Sequence, residues 1–331
     1  MRPFHYEHAA DRAQALSLAA ASADTHYLAG GTTLVDLMKL DVMRPATVVD
    51  INALARDHSE IALDGDHLRL GALARMSDVA EHPAVRRDFP LIAQSLDLAA
   101  SPQIRNMASL GGNVLQRTRC PYFRDTHWAA CNKRKPGSGC AAMEGVNRKL
   151  AVLGVSDHCI ANYPGDFATV LAALGATVDV EGAGGRRVIA FEDLHRLPGD
   201  TPHVETTLKP GELITGFSVP AGSWTRRSLY LKIRDRQSFE FALASAAVAL
   251  DLEGGNVRTA RIGLGGVAAK PWRSHEAEAA LQGHRLDEAS ARAAADAAFA
   301  GATAHGQNAF RIELGKRTLV RALIQTAKLE T

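Results

Sequence analysis

Only four cysteines occur in 331 residues, and aromatic side chains make up just 5% of the chain. So thin a cysteine supply excludes a disulfide-dense scaffold. No window approaches eighteen uninterrupted apolar residues, which excludes a membrane-spanning helix. The opening stretch MRPFHYEHAADRAQAL has neither an apolar run nor a cleavage pattern, so no export signal of the chain's own is expected. No Ser-His-Asp or Cys-His set reads as a nucleophile with its base. Charge of one sign is also scarce overall, at +2 net. With 46% hydrophobic and 22% charged residues, what remains is an ordinary globular composition, long enough for two or three domains.

Hydrophobic spacing predicts a helix around Ala13–Ala20, an apolar run at His26–Leu28 and a second helix at Leu34–Lys39. Short strands are expected at 47–51 and 68–73, and a helix at 90–100. Regularity then stops from Gln116 to about Asn147 and returns at Leu150–Val155. It continues with a helix at Phe167–Leu174 and strands at 176–181 and 213–219. A second unit begins with Tyr230–Arg234. Phe241–Leu250 fits strand or helix, Val257–Leu264 reads as a strand, and two Ala-rich helices (275–282 and 286–300) follow. The expected division is a domain over 1–222 carrying an insertion at about 116–160, then a smaller domain over 223–331.

The net charge is unevenly placed. Between Arg117 and Lys149, eight Lys or Arg stand against two acids, so this segment is +6 and the rest of the chain −4. Such a patch can bind nucleic acid, but regular stacking aromatics are missing, so no nucleic acid is expected as a partner. Three of the cysteines, Cys120, Cys131 and Cys140, lie in the irregular loop, and Cys159 follows it. A loop of this length needs something to hold it. Four thiolates suit a [4Fe–4S] cluster, with nearby cations offsetting charge and supplying donors to sulfur. Structural zinc also takes four cysteines, though usually in close C-x2-4-C pairs, which are absent. Two disulfides or four unconnected thiols are further readings, and spacing leaves all four open.

Two turns concentrate glycine beside hydroxyl and amide side chains. The first, Leu28-Ala29-Gly30-Gly31-Thr32-Thr33-Leu34, joins an apolar run to a helix. Its glycines permit close approach, and its successive N–H groups can form an anion-binding concavity. It matches neither G-x-G-x-x-G nor a P-loop. The second, Ser109-Leu110-Gly111-Gly112-Asn113, has the same chemistry. Elsewhere His5 and His8 read as surface histidines and not a metal pair, and Asp125 and His127 as solvent or supporting groups. Trp128 and Trp224 read as packing residues.

These strings together resemble the flavin-binding subunit of the molybdenum hydroxylases, the xanthine dehydrogenase and carbon monoxide dehydrogenase group, over essentially the whole chain. AGGTTL at 29–34 and SLGGN at 109–113 are similar to that family's two FAD pyrophosphate loops. By the same resemblance Asp166 in YPGDF, Ile214 in PGELI and Lys232 in YLKIRDR are flavin contacts. Gly165 departs from the Ser that many relatives carry. QRTRCPYFRD (116–125), CNKRKPGSGCAAMEG (131–145) and GGVAAKPWR (265–273) are similar to members with an extra cluster: the β subunit of 4-hydroxybenzoyl-CoA reductase and, more closely, the FAD subunits of bacterial periplasmic aldehyde oxidoreductases.

The resemblance implies an α+β fold: a two-lobed FAD domain of the PCMH type with an inserted iron–sulfur loop, then a C-terminal α/β domain of the CO dehydrogenase flavoprotein type. It also implies FAD and a [4Fe–4S] cluster on Cys120, Cys131, Cys140 and Cys159. A molybdenum-cofactor large subunit and a [2Fe–2S] small subunit would be the partners, and four cysteines are too few for those centres to lie here. A location in the cytoplasm, or in the periplasm by co-export with a signal-bearing partner, follows as an expectation. A standalone flavin reductase and a zinc-stabilised binding module are the alternatives.

Overall fold

A computed structural model describes residues 1–330. The chain opens with three short strands, β1 (His5–His8), β2 (Thr25–Leu28) and β3 (Thr47–Asp50), in a parallel sheet of order β1-β3-β2. His5 and His8 are three apart on exposed β1, so the strand's two-residue period sends them to opposite faces. They form no metal pair.

The second sheet is antiparallel: β4 (Ile61–Asp64), β5 (His67–Gly71), β6 (Thr177–Gly182), β7 (Gly185–Ala190) and β8 (Leu213–Pro220), in order β4-β5-β8-β6-β7. Alternation drives it, since Leu68 and Leu70 of β5 are buried while Arg69 between them is exposed. Everything from Ala72 to Ala176 is inserted between β5 and β6, including both the second glycine turn and the cysteine loop.

The third sheet comprises β9 (Ser228–Ile233), β10 (Ala244–Glu253), β11 (Asn256–Gly265) and β12 (Trp272–Arg273), in order β12-β11-β10-β9. Gly254 and Gly255 have φ of 57° and 86°, as a two-residue hairpin turn between β10 and β11 requires. The Ala-rich stretch that fits either strand or helix is therefore strand β10. Its small side chains let helices press on the sheet from both sides.

One of those helices, Asp166–Leu174, is buried along its whole length and ends at Gly175 with φ of 67°. It meets β11 so closely that a Cβ on Gly263 would stand 2.6 Å from the Thr169 carbonyl. On the other side lies Phe310–Ala327, an 18-residue helix that the sequence pattern did not disclose. Its inward face carries Arg311, Gly315, Thr318 and Thr326 among the leucines, which blurs the apolar stripe. Arg311 is fully buried with no carboxylate partner among the described residues; it donates to the carbonyls of Leu150, Ala242, Leu243 and Gly266. That guanidinium joins the last helix, the β9–β10 connection and the end of the cysteine loop.

Candidate functional site: a glycine-walled cavity beside a cysteine core

The two glycine turns meet. A Cβ on Gly30 would fall 1.8 Å from the Met107 carbonyl oxygen, so only glycine lets the first turn lie against the segment entering the second. Asn52 fastens the contact by donating to the Ala29 carbonyl at 3.1 Å. Arg75 donates both to Asn52 (3.2 Å) and to the Met107 carbonyl. Gly31 has φ of 73°, and the amides of Gly31, Thr32 and Thr33 donate no hydrogen bond among the described residues. At the second turn, Ser109 caps the short Leu110–Val114 helix by accepting from Gly112.

A cavity of about 650 Å³ opens between them. Leu28, Ala29, Gly30, Gly31, Thr32, Thr33, Leu34, Ser109, Gly112 and Ile214 all line it. Its size suits a cofactor, typical pockets being roughly 300–1,000 Å³. Apolar Ile51, Leu73, Leu213 and Ile214 face the open amides, a division that fits an aromatic ring system joined to a pyrophosphate.

Three expected contacts stand apart from this lining. Asn113 turns its Nδ2 to the Met76 sulfur at 3.4 Å, and its Oδ1 is buried without a partner. Asp166 and Lys232 are satisfied by each other: Nζ to Oδ2 is 2.8 Å, with 4% of the Asp166 and 1% of the Lys232 side chain exposed. Lys232 also donates to the Leu98 carbonyl, while Tyr230 donates to Asp166 Oδ1 at 2.7 Å.

Several lining residues carry no sequence signal. Arg117 holds Glu205 through two contacts of 2.9 and 2.6 Å, and Lys133 lies 3.5 Å from the same carboxylate. Burial would raise the Glu205 pKa, but Arg117 and Lys133 outweigh it and hold the carboxyl below its usual range. Burial, helped by Arg117, keeps His26 below the ordinary histidine value. Behind Glu205 is a small polar pocket lined by Gln116, Tyr163 and His195. There His195 Nε2 donates to the Val114 carbonyl at 3.1 Å, and burial presses its pKa down to about 4.

The cysteine loop builds a small core of its own. Cys120, Cys131 and Cys159 are buried in it with Leu37, Phe123 and Ile160, and Cys140 packs against them. Cys131 and Cys140 face each other across an isolated bridge, closed by Asn132 and Ser138. The backbone amides of Tyr122 and Phe123 pull the Cys120 thiol down, and that of Ala161 the Cys159 thiol, against the larger upward push of burial. Such donors favour thiolate over thiol, so this donor set fits a cluster. Without a metal, burial pushes Cys120 up to about 12 and Cys159 up to about 11. No group of three or more His, Cys, Asp or Glu among the described residues is arranged to hold a single metal ion.

The basic excess turns out to be mainly structural. Arg117 and Lys133 pair with Glu205, Arg119 and Arg124 with Asp36, and Arg148 and Lys149 with Asp235. Arg134 donates to the carbonyls of Tyr122, Phe123 and Trp128. The +6 segment thus consumes acids contributed by the rest of the chain. Of its eight cations, Lys133 acts on a thiol, that of Cys159. Backbone amides act on Cys120 and Cys159 beside it. His127 is exposed and bonded to Asp125, Trp128 stacks edge-on with Tyr122, and Trp224 is buried beneath Arg261.

Residues 2–222 match the family described as the FAD binding domain in molybdopterin dehydrogenase, and 229–326 match the CO dehydrogenase flavoprotein C-terminal domain. The chain belongs to this family. It is 44% identical over 326 residues, 98% of either chain, to the aldehyde oxidoreductase FAD-binding subunit PaoB of Escherichia coli K12. It is also 27% identical to the glyceraldehyde dehydrogenase medium chain of Sulfolobus acidocaldarius, over 86% of this chain and 83% of that one. A carbon monoxide dehydrogenase chain from Hydrogenophaga pseudoflava superposes with a TM-score of 0.76 at 25% identity, covering 98% of this chain and 96% of that one. The protein is thus an FAD-binding medium subunit of the molybdenum hydroxylase type, part of an oxidoreductase, with the α+β architecture of those subunits. No helix among the described residues is long and apolar enough to cross a membrane.

Proposed function

We propose that this chain is the FAD and [4Fe–4S] electron-transfer subunit of a heterotrimeric, molybdenum-dependent aldehyde oxidoreductase. Electrons would arrive from a molybdenum cofactor in a large partner and [2Fe–2S] centres in a small one, and leave to an external acceptor. The observation that carries this reading is the gathering of all four cysteines in one small core, in a chain so similar to an aldehyde oxidoreductase subunit. Bound FAD would supply two-electron uptake with one-electron release.

The chain's own residues bind and position. The backbone of Gly30–Thr33 and the Ser109–Gly112 turn would hold the pyrophosphate, and Ile214 would pack on the ring system. Asp166 and Lys232 would act by fixing the wall behind it, Asn113 by supporting the second turn. Cys120, Cys131, Cys140 and Cys159 would ligate the cluster. Structural zinc usually takes close C-x2-4-C pairs, which this spacing lacks.

The test is anaerobic purification with FAD, iron and zinc counted per chain. One FAD and about four irons are expected, with iron lost and FAD kept in Cys140→Ser. FAD without iron, in protein never exposed to oxygen, would retire the cluster. Zinc without flavin would overturn the whole reading.

A further inference from the structure

The cavity and the cysteine core adjoin at Met43, which lines the one and packs against the other, and charged residues tie them together. Arg117 lines the cavity and lies over the ring of Phe123, a member of the cysteine core, at 4.5 Å. Glu205 lines the same cavity and joins Arg117 to Lys133, two residues beyond Cys131. Lys133 is further tied to the Pro202 carbonyl at 3.0 Å, while its neighbour Asn132 donates to the His158 carbonyl beside Cys159.

A second tie runs through the first glycine turn. Asp36 lies two residues past cavity-lining Leu34 and accepts from both Arg119 and Arg124, which flank Cys120. Leu37, next along that helix, is itself part of the cysteine core. Glu205 therefore links the cavity wall to the thiol loop directly, and Asp36 does so through the helix that starts at cavity-lining Leu34. Ordering either side fixes the geometry of the other.

We propose that Glu205 and Asp36 couple the two sites, so that occupancy of the cysteine core by iron and sulfide and occupancy of the cavity by FAD raise each other's affinity. This rests on the function proposed above and adds a linkage between its two cofactors. Linkage of this kind is reciprocal and commonly amounts to about 5–150-fold. Partly exposed ion pairs are individually weak, which places the expected effect at the lower end.

The test compares FAD titrations of the full chain in iron-loaded and iron-depleted forms, prepared anaerobically, for wild type, Glu205→Gln and Asp36→Asn. The wild type is expected to bind FAD about five-fold more tightly when loaded. That ratio should fall toward one in either variant, with iron retained less well in FAD-free protein. Should one variant fail to fold, the other decides. Equal FAD affinity in both wild-type forms, or an undiminished ratio in the variants that fold, overturns the coupling. Wild type that takes up no iron, or no FAD, refutes the parent reading and the coupling falls with it.

Discussion

Lys232→Met isolates the one ion pair that, among the described residues, is almost wholly withdrawn from water. In the native chain its ammonium has the Asp166 carboxylate at 2.8 Å and the Leu98 carbonyl at 2.9 Å. The variant leaves Asp166 with the Tyr230 hydroxyl as its remaining side-chain donor, at the start of a helix buried on all sides. Removing one partner of a buried pair costs about 3–5 kcal/mol, since the stranded charge keeps its desolvation penalty. At about 2 °C per kcal/mol for a chain of this size, the melting temperature should drop by roughly 6–10 °C. Adding Asp166→Leu should restore most of the loss, because Tyr230 can still donate to Ser245 at 2.9 Å. Calorimetry of the FAD-free single and double variants at neutral pH reads this directly. A single variant melting within about 1 °C of wild type, or a double variant losing the sum of both single effects, refutes the reasoning.

Gly30→Ala should cut FAD affinity at least about tenfold and cost about 1–3 kcal/mol of stability, because its methyl would have to displace the Met107 carbonyl and part the two turns; unchanged FAD binding would show that the turns do not form the site. His195 sets an acid-side limit. Held at about 4 against an ordinary 6.5, it stays neutral in the folded chain while the unfolded chain takes up a proton. Its contribution is therefore complete above about pH 6.5 and is lost progressively as pH falls to about 4, a loss of about 3 kcal/mol. Urea midpoints measured from pH 7 to pH 4 should fall more steeply for wild type than for His195→Leu; parallel slopes would contradict the buried, neutral assignment.

Much of the cavity could be read from the chain because its chemistry is backbone chemistry. Glycine pairs followed by Thr or Asn announce a close approach wherever they fall, and both turns and Ile214 line one cavity. Strands such as β5 and the helix at 166–174 were legible from local periodicity. The helix at 310–327 was not, because its buried face is half polar, and Arg311 reads as a surface residue until four carbonyls are seen around it. Arg117, Glu205 and Asp36 had no local signal either, since their partners lie 72 or more residues away in sequence.

The sequence by itself determined the inventory: four thiols in a basic, irregular insertion and two glycine turns. Those follow from residue type and from spacing over a few positions. Only tertiary structure decided where the charges go. It sent the basic surplus into ion pairs with distant acids and paired Asp166 with Lys232 outside the cavity lining. Electrostatic partners are chosen by distance and burial, and both are properties of the folded chain.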